Sequence, residues 1–359
     1  MGDIVERVLR PDILADFVRR VFQAAGATTE GARLVADSLV TSELVGHPSH
    51  GLVRVRQYLD SIEAGELDPA TAPIIAKETA VITTVDAQNG FGQIAAHFAM
   101  QVTIEKAQAQ GLAVTGLFNN NHVGRLGEWV QLAADRGLIG LAFCDTGRAR
   151  GRAAPYGGAA HLLGTNPLAA AVPVGGRPAL VLDYATTQVA EGKVRVARNQ
   201  GRQVPEGWII DANGQPTTNP EDLYTGGMLL PMAGHKGYGL SLLIELLGGV
   251  LTGQGGIPGQ PGLTISGNSV LFLVVSVDAF RPLADFLVDG ATLCDQVKAI
   301  PPAPGFDEVL LPGEPEYRSA EHRRASGIVV DETTWSHFVE IADGFGLALP
   351  DQVSRYTEA

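Results

Sequence analysis

The hydrophobic periodicity of the chain changes near residue 78, and this change constrains the fold more than any single motif does. Residues 11–64 carry apolar side chains at helical spacing, and no strand-like alternation is expected before about residue 78. Short β-rich runs then alternate with helical stretches. The predicted strands cover 80–86, 113–118, 139–144, 169–174, 179–183 and 269–277, and the predicted helices cover 93–110, 124–136, 239–251 and 333–347. This order is typical of an α/β layer preceded by a helical module. The Gly- and Pro-rich residues 252–267 are expected to form a surface loop.

Composition and charge exclude several classes of protein. Of the 359 residues, 45% are hydrophobic and 18% are charged, which is typical of a well-buried globular enzyme. The formal net charge of −13 argues against a nucleic-acid partner, because a phosphate backbone would be repelled. Two cysteines, Cys144 and Cys294, are too few for a disulfide framework or a cysteine-based zinc site. The first six residues lack the apolar core of a signal peptide and the apolar runs are strand-sized, so we expect a cytoplasmic protein without a membrane span.

The stretch from Gly46 to Tyr58 carries the most distinctive polar side chains. Pro48 suits the first turn of a helix, so the sequence predicts a helix that begins there. His50, Arg54 and Tyr58 would then recur every four residues and share one face. An imidazole can donate a proton near neutral pH, and a guanidinium can grip a carboxylate. This set suits a 2-oxo acid, although an ordinary helix start with surface polar groups would give the same pattern.

A glycine motif at residues 90–95, Gly-x-Gly-x-x-Ala, follows a predicted strand and opens a helix, like the dinucleotide fingerprint of Rossmann domains. That fingerprint also needs an acidic residue about twenty positions further on. Here the next strand ends in Phe-Asn-Asn-Asn-His at 118–122, without a carboxylate. We therefore interpret the glycines as packing positions. His122 lies where a strand gives way to a helix, so it is either a site residue next to substrate or nicotinamide, or part of an ordinary loop.

Three small-residue turns combine hydrogen-bonding groups with a strand end or a helix start, at 164–167, 183–187 and 234–239. Such turns can present backbone N–H groups to a phosphate. Lys236 could also neutralise a pyrophosphate. Each turn alone is weak evidence, but the three together favour a nucleotide ligand.

Other charged residues allow less specific interpretations. One arginine-rich segment contains Arg148, Arg150 and Arg152. A solvated loop explains this group better than recognition of an extra anionic group on the cofactor or substrate does. A metal site is not favoured either, since no acidic partner with suitable spacing accompanies the three histidines His47, His50 and His122.

Several blocks, taken in order, resemble the malate/L-lactate dehydrogenase-like family of NAD(P)-dependent oxidoreductases. The blocks are Gly46-His47-x-Ser49-His50-Gly51, Asn121-His122-x-Gly124, Gly164-Thr165-Asn166-Pro167, Pro205-x-Gly207-Trp208, Gly214-x-Pro216-Thr217-Thr218-x-Pro220, Lys236-Gly237-Tyr238-Gly239-Leu240 and Pro312-Gly313-Glu314. The resemblance implies a non-Rossmann, sulfolactate-dehydrogenase-like α/β fold with a mixed sheet flanked by helices. Residues 1–75 would form the N-terminal helical module with the catalytic histidine, completed by C-terminal helices at 320–359. Residues 76–319 would form the α/β cofactor-binding domain. The resemblance also implies a homodimer with shared active sites.

The same resemblance implies roles for individual residues. His50 matches the proton donor of the family, and the implied catalytic groups are His50, His122 and Asp183. The implied substrate-binding residues are Ser49, Arg54, Tyr58 and Thr146. The implied cofactor-binding residues are His122, Thr165, Asn166, Asp183, Tyr184, Ala185, Thr186, Thr187, His235, Lys236, Pro312, Gly313 and Glu314.

These assignments imply hydride transfer between the nicotinamide of NAD or NADP and the 2-carbon of a small 2-oxo or 2-hydroxy acid, with His50 as proton donor or acceptor. Reduction of a cyclic imino acid, Δ1-piperideine-2-carboxylate or Δ1-pyrroline-2-carboxylate, needs the same acid and the same carboxylate clamp, so it stays open. A non-catalytic nucleotide-binding protein is a further alternative, but it would not need to keep His50, Arg54 and His122. The choice between NAD and NADP is open as well, since three arginines could meet a 2′-phosphate or simply form a basic surface: Arg195, Arg198 and Arg202.

Overall fold

The computed structural model describes residues 7–147, 151–253 and 267–351. Its α-helices are α1 (Pro11–Ala24), α2 (Thr29–Leu44), α3 (Arg54–Glu63), α4 (Gly92–Gln110), α5 (Leu126–Ala134), α6 (Glu191–Asn199), α7 (His235–Ile244), α8 (Leu283–Lys298), α9 (Glu314–Ser326) and α10 (Glu332–Phe345). Its strands are β1 (Arg7–Leu9), β2 (Ile74–Glu78), β3 (Ile82–Asp86), β4 (Leu112–Phe118), β5 (Leu138–Asp145), β6 (Leu168–Val172), β7 (Leu180–Tyr184), β8 (Ile209–Ile210), β9 (Pro216–Thr217), β10 (Met228–Leu229), β11 (Ser269–Ser276) and β12 (Ile328–Val330). A π-helix at Glu245–Val250 continues α7.

A seven-stranded mixed sheet forms the centre of the described chain, in the order β2-β3-β4-β11-β5-β6-β7. Within it, β3 and β4 run parallel and are joined by α4, whereas the other neighbouring strands run antiparallel. Strand β11 comes from far along the chain and lies between β4 and β5. This arrangement differs from the doubly wound parallel sheet of a Rossmann domain. The predicted non-Rossmann α/β class with a mixed sheet is confirmed.

Helices cover both faces of this sheet. On one face, α4 and α5 bury a core whose large members include Met100, Ile104, Leu117, Trp129 and Phe272. Ala142 and Cys144 of β5 belong to that core, so Phe143 between them faces the other way. On that second face the π-helix approaches so closely that a Cβ on Gly248 would lie 2.7 Å from the carbonyl oxygen of Phe143.

The N-terminal helices share a second apolar core with the C-terminal helices. The apolar residues that recur along α1 are all fully buried, as the helical spacing predicts: Leu14, Phe17, Val18, Val21 and Phe22. The rings of Phe17 and of Phe338 in α10 have their centroids 5.0 Å apart, and β1 pairs with β12. Both ends of the described chain therefore build one layer next to the sheet. None of the helices in the described ranges combines the length and the apolar character that a membrane span requires.

Some secondary-structure predictions need correction. The expectation of no strand before about residue 78 is wrong, since β1 lies before it and β2 ends at Glu78. Strand β2 is exposed along its whole length, so its sequence lacks the alternation of a half-buried strand. The apolar helix predicted at 239–251 begins earlier, at His235. Most of the loop predicted at 252–267 lies outside the described residues.

Candidate active site

A buried glutamate shapes the turn that carries His50. The prediction of one helix that includes both His50 and Arg54 is wrong, because a 3₁₀ turn ends at His50 and α3 begins at Arg54. Glu43 accepts a hydrogen bond from the N–H of Leu52 at 2.8 Å. Gly51 lies against the same carboxylate, since a Cβ there would be 2.2 Å from Oε1 of Glu43. The chain therefore bends around Glu43 between the histidine and the arginine.

The structure nevertheless brings His50, Tyr58 and His122 together. The two imidazole rings stack with their centroids 5.4 Å apart. The Tyr58 hydroxyl lies 2.7 Å from Nδ1 of His122, and the Gln93 amide donates to the Tyr58 oxygen at 2.6 Å. Because Gln93 already supplies a proton to that oxygen, the tyrosine proton is directed at His122 Nδ1. Neutral His122 then carries its own proton on Nε2, which makes this nitrogen a hydrogen-bond donor.

Close main-chain packing positions the loop that carries His122. A Cβ on Gly92 would lie 2.1 Å from the carbonyl oxygen of His122, so only glycine lets α4 approach this loop. The Asn121 amide donates to the carbonyl oxygens of Asn89 and Gly90 at 2.9 Å and 3.1 Å. The interpretation of the glycine motif at 90–95 as packing positions is therefore confirmed.

Burial and nearby positive charge keep both imidazoles neutral. Burial, together with the charges of Arg54, His47 and Arg125, lowers the pKa of His50 to about 3. Burial and Arg54 also lower the pKa of His122 well below its ordinary value. Without an anionic ligand, each ring is thus uncharged at neutral pH and can accept a proton.

The guanidinium of Arg54 forms no ion pair with any carboxylate of the described residues. Its Nε donates to the carbonyl oxygen of Ser49 at 2.7 Å, and Nη1 donates to Gln57. The Ser49 hydroxyl lies 3.0 Å from Nδ1 of His50, so the serine links the arginine to the imidazole. The remaining N–H groups of Arg54 are suited to bind a substrate carboxylate.

Asp183 lies near the end of β7 and contacts the start of α5. Its Oδ2 accepts a hydrogen bond from the N–H of Gly127 at 2.7 Å. A Cβ on Gly127 would lie 2.7 Å from Nη1 of Arg125 and 2.9 Å from Oδ2 of Asp183, so glycine is needed where these groups approach each other. Burial raises the pKa of Asp183, and the Gly127 N–H and the charges of Arg125 and His47 oppose this effect.

Main-chain hydrogen bonds join two of the blocks predicted to bind cofactor and link them to the segment before α7. The N–H of Thr186 donates to the carbonyl oxygen of Thr165, and the N–H of Met232, just before α7, donates to that of Thr186, both at 2.9 Å. Asn166 is completely buried, and its Oδ1 lies 3.3 Å from Oγ1 of Thr146. The structure therefore groups Thr146 with the block at 164–167, and no described hydrogen bond links it to either imidazole of the site. Tyr184 and Ala185 are half-buried between Asp183 and this junction, and Thr187 is buried.

The two remaining predicted cofactor blocks differ in whether their polar groups form hydrogen bonds or ion pairs within the described residues. His235 and Lys236 are exposed in the first turn of α7, and no hydrogen bond or ion pair of their side chains occurs within the described residues. Pro312 instead packs on β7, where its carbonyl oxygen accepts from the N–H of Val181 at 3.2 Å. Gly313, next to it, is buried against the same strand. The carboxylate of Glu314 is held by the N–H of Leu311 and by Lys298.

The arginines considered for a 2′-phosphate already have partners. Arg195 pairs with Glu191 at 2.7 Å, and Arg198 pairs with Glu221 at 2.7 Å. Arg202 contacts the Gln200 side chain. These pairs give no preference for NADP over NAD.

The loop arginines are only partly described. Arg152 lies over the ring of Tyr224 at 5.3 Å, whereas Arg148 and Arg150 lie outside the described residues.

Sequence reasoning misses three buried polar residues of this region: Glu43, Gln93 and Arg125. A signal was present for Arg125, which directly follows the block Asn121-His122-x-Gly124, and for Gln93, which follows the glycine motif. Glu43 gives no such signal, because a glutamate near the end of an amphipathic helix is usually solvated.

Comparisons with known proteins show which proteins this chain is similar to. A family model described as malate/L-lactate dehydrogenase matches residues 9–339. The chain is 34% identical to malate dehydrogenase of Pyrococcus abyssi, over 94% of this chain and 94% of that protein. The structure of sulfolactate dehydrogenase from Methanocaldococcus jannaschii is similar with a TM-score of 0.87 and 32% identity, covering 95% of this chain and 98% of that one. That of Δ1-piperideine-2-carboxylate reductase from Pseudomonas syringae pv. tomato is similar with a TM-score of 0.84 and 31% identity, covering 94% and 100%.

The lowered pKa of His50 predicts how acid affects stability. Unfolded His50 binds a proton below about pH 6.5, whereas folded His50 does so only near pH 3, so falling pH favours unfolding across this window. We expect the free energy of unfolding of a His50→Gln variant to fall less between pH 7 and pH 4 than that of the wild type. Urea denaturation at several pH values measures this, with the exposed His161→Gln as control. The same pH dependence in wild type and His50→Gln would contradict a half-buried neutral imidazole at this position.

Proposed function

This chain belongs to the malate/L-lactate dehydrogenase family of oxidoreductases, and from that premise we propose that it transfers a hydride between NAD or NADP and the 2-carbon of a small 2-oxo or 2-hydroxy acid. The observation that carries the proposal is the stacking of His50 on His122 beside Arg54, a guanidinium without a carboxylate partner. Proton transfer and binding of a carboxylate are the two tasks that the protein must perform in such a reaction.

His50 is the proposed proton donor and acceptor. In oxidation of a 2-hydroxy acid, the neutral imidazole takes the hydroxyl proton while the hydride leaves carbon 2. In reduction, the imidazolium returns a proton to the carbonyl oxygen. A substrate carboxylate on Arg54 places negative charge near His50 and so raises its pKa toward neutrality. His122 offers its Nε2–H as a hydrogen-bond donor to the reacting oxygen, because Tyr58 occupies Nδ1.

We propose that the dinucleotide lies along the joined blocks at 164–166 and 183–187 and at the start of α7. Main-chain hydrogen bonds connect these two blocks to each other and to Met232, just before α7. The first turn of α7 offers N–H groups to a phosphate, and exposed Lys236 adds a positive charge. A bound nicotinamide would supply or accept the hydride, while Asp183 and His122 would orient its ring.

We further propose that a second copy of the chain covers an apolar face at the end of α7. Four residues of α7, of the π-helix and of the turn that follows it are between 47% and 65% exposed: Leu243, Leu246, Val250 and Leu251. An exposed apolar cluster on one helical segment is typical of a protein interface. Since Lys236 lies in the first turn of the same helix, a partner subunit there would contact the helix that begins at the proposed cofactor site.

Charge on this apolar face should break the dimer. We expect the wild type to be a dimer in sedimentation equilibrium and the double variant Leu246→Asp/Val250→Asp to be mainly monomeric. Val329→Asp, at a similarly exposed apolar position on β12, is the matched control and should stay dimeric. A monomeric wild type, or a double variant as dimeric as the control, would count against this interface.

Two substitutions test the proposed proton donor, His50, and the proposed carboxylate-binding residue, Arg54, separately. His50→Ala should lower kcat by roughly 10²–10⁴-fold and leave the KM for the cofactor nearly unchanged, because it removes a proton donor. Arg54→Lys should mainly raise the KM for substrate, since an ammonium cannot replace a bidentate fork. Reduced nicotinamide absorbance measures both effects, and His161→Ala is the control.

The assay is run with NADH and NADPH in turn, on pyruvate, oxaloacetate and Δ1-pyrroline-2-carboxylate. The likeness to a Δ1-piperideine-2-carboxylate reductase makes the imino acid the second candidate substrate. If the enzyme turns over only the imino acid, the imino acid would replace the 2-oxo acid as the proposed substrate. Unchanged turnover of His50→Ala would refute the role of that imidazole.

A further inference from the structure

Arg125 is a buried cation whose side chain forms no ion pair and no hydrogen bond within the described residues. Its residue is 5% exposed, directly before the first turn of α5. Its Nε is shielded from solvent and has no hydrogen-bond partner. Within the described residues, the guanidinium forms no ion pair and no hydrogen bond. A buried charge is costly unless it is paired, so a guanidinium kept in this state indicates an anion that binds there.

The position of Arg125 connects it to the candidate active site. Nη1 reaches the space that Gly127 leaves open beside Asp183, as the short distances to an added Cβ show. Arg125 is also one of the cations whose charge acts on His50. The guanidinium therefore lies within electrostatic reach of both a proposed proton donor and the end of β7.

The carboxylates near Arg125 are engaged by other groups. Asp183 accepts from the N–H of Gly127, Glu316 contacts His47 at 3.3 Å, and Glu128 accepts from the Ser38 hydroxyl at 2.8 Å. The charge of Arg125 acts on all three carboxylates, but their described side-chain hydrogen bonds go to these other groups. None of the three forms an ion pair with Arg125.

Arg54, like Arg125, forms no ion pair within the described residues. Its described hydrogen bonds go to the Ser49 carbonyl and the Gln57 amide. Two guanidinium groups thus act on His50, and neither forms an ion pair with a carboxylate of the described residues. A ligand with one carboxylate would leave one of the two cations unpaired. A ligand with two acidic groups would satisfy both.

We propose that Arg125 binds a second anionic group of the substrate, a carboxylate or a sulfonate, and thereby selects 2-oxo and 2-hydroxy diacids over monoacids. This inference rests on the proposed function, in which Arg54 holds the carboxylate next to carbon 2. Arg125 acts as a specificity-determining residue and takes no part in proton or hydride transfer.

The test compares a diacid with a monoacid in one enzyme. The kcat/KM for reduction of oxaloacetate is divided by that for 2-oxobutyrate, which lacks the second carboxylate. We expect a ratio well above one in the wild type. In Arg125→Gln the ratio should fall roughly 10- to 100-fold, the effect of a charged hydrogen bond lost in a buried site. Arg125→Lys should give an intermediate ratio, since it keeps the charge without the fork. The control, Arg136→Gln, removes an exposed arginine just after α5 and should keep the wild-type ratio.

The outcomes separate this inference from the proposed function. Equal losses on both substrates would assign Arg125 a structural role and overturn the inference, and so would a raised KM for the cofactor with an unchanged ratio. A wild type that prefers 2-oxobutyrate would overturn the inference while the proposed function stands. A wild type that reduces neither substrate with either cofactor would overturn both the inference and the proposed function. Circular dichroism melting of each variant shows whether an altered ratio comes from a folded protein.

Discussion

The hydrogen bond between Tyr58 and His122 joins the two parts of the chain on which the site depends. Tyr58 belongs to the helical layer built by both ends of the described chain, whereas His122 follows a strand of the central sheet. Gln93, in the first turn of α4, orients the hydroxyl between them. One tyrosine proton thus fixes the imidazole tautomer, and the close contact at Gly92 fixes the loop that holds the ring. The stacking of His50 on His122 then follows from the bend around Glu43.

Two arginines act on the imidazole of His50, although the molecule as a whole is acidic. In this chain with a net charge of −13, Arg54 acts on both neutral imidazoles and Arg125 acts on that of His50. The same cations that hold the pKa of His50 low would attract an anionic substrate, and the bound anion would reverse their effect on the imidazole. Substrate binding and readiness for proton transfer are therefore coupled in the proposed reaction. In the proposed reaction, the imidazole of His50 stays uncharged until a substrate carboxylate binds.

Local sequence patterns predicted which side chains form the candidate site better than they predicted the backbone that brings these side chains together. His50, Arg54 and Tyr58 do come together, but through a bend that no helical spacing reveals, since it depends on a glutamate from the preceding helix. The predicted strands of the sheet are present, yet the insertion of β11 between β4 and β5 is a non-local pairing that a periodicity cannot show. Arg125 is a comparable case. Its identity is plain in the sequence, whereas its burial and lack of a partner come from the packing of α5 on β7.

Transfer of isotope from the cofactor tests the proposed chemistry most directly. The wild-type enzyme is supplied with oxaloacetate or pyruvate and with NADH or NADPH that carries two deuterium atoms at the nicotinamide C4. Proton NMR and mass spectrometry of the product then locate the label. Direct hydride transfer beside His50 predicts one deuterium on carbon 2 of the 2-hydroxy acid. Oxidised cofactor together with a product that carries protium on carbon 2 would contradict it.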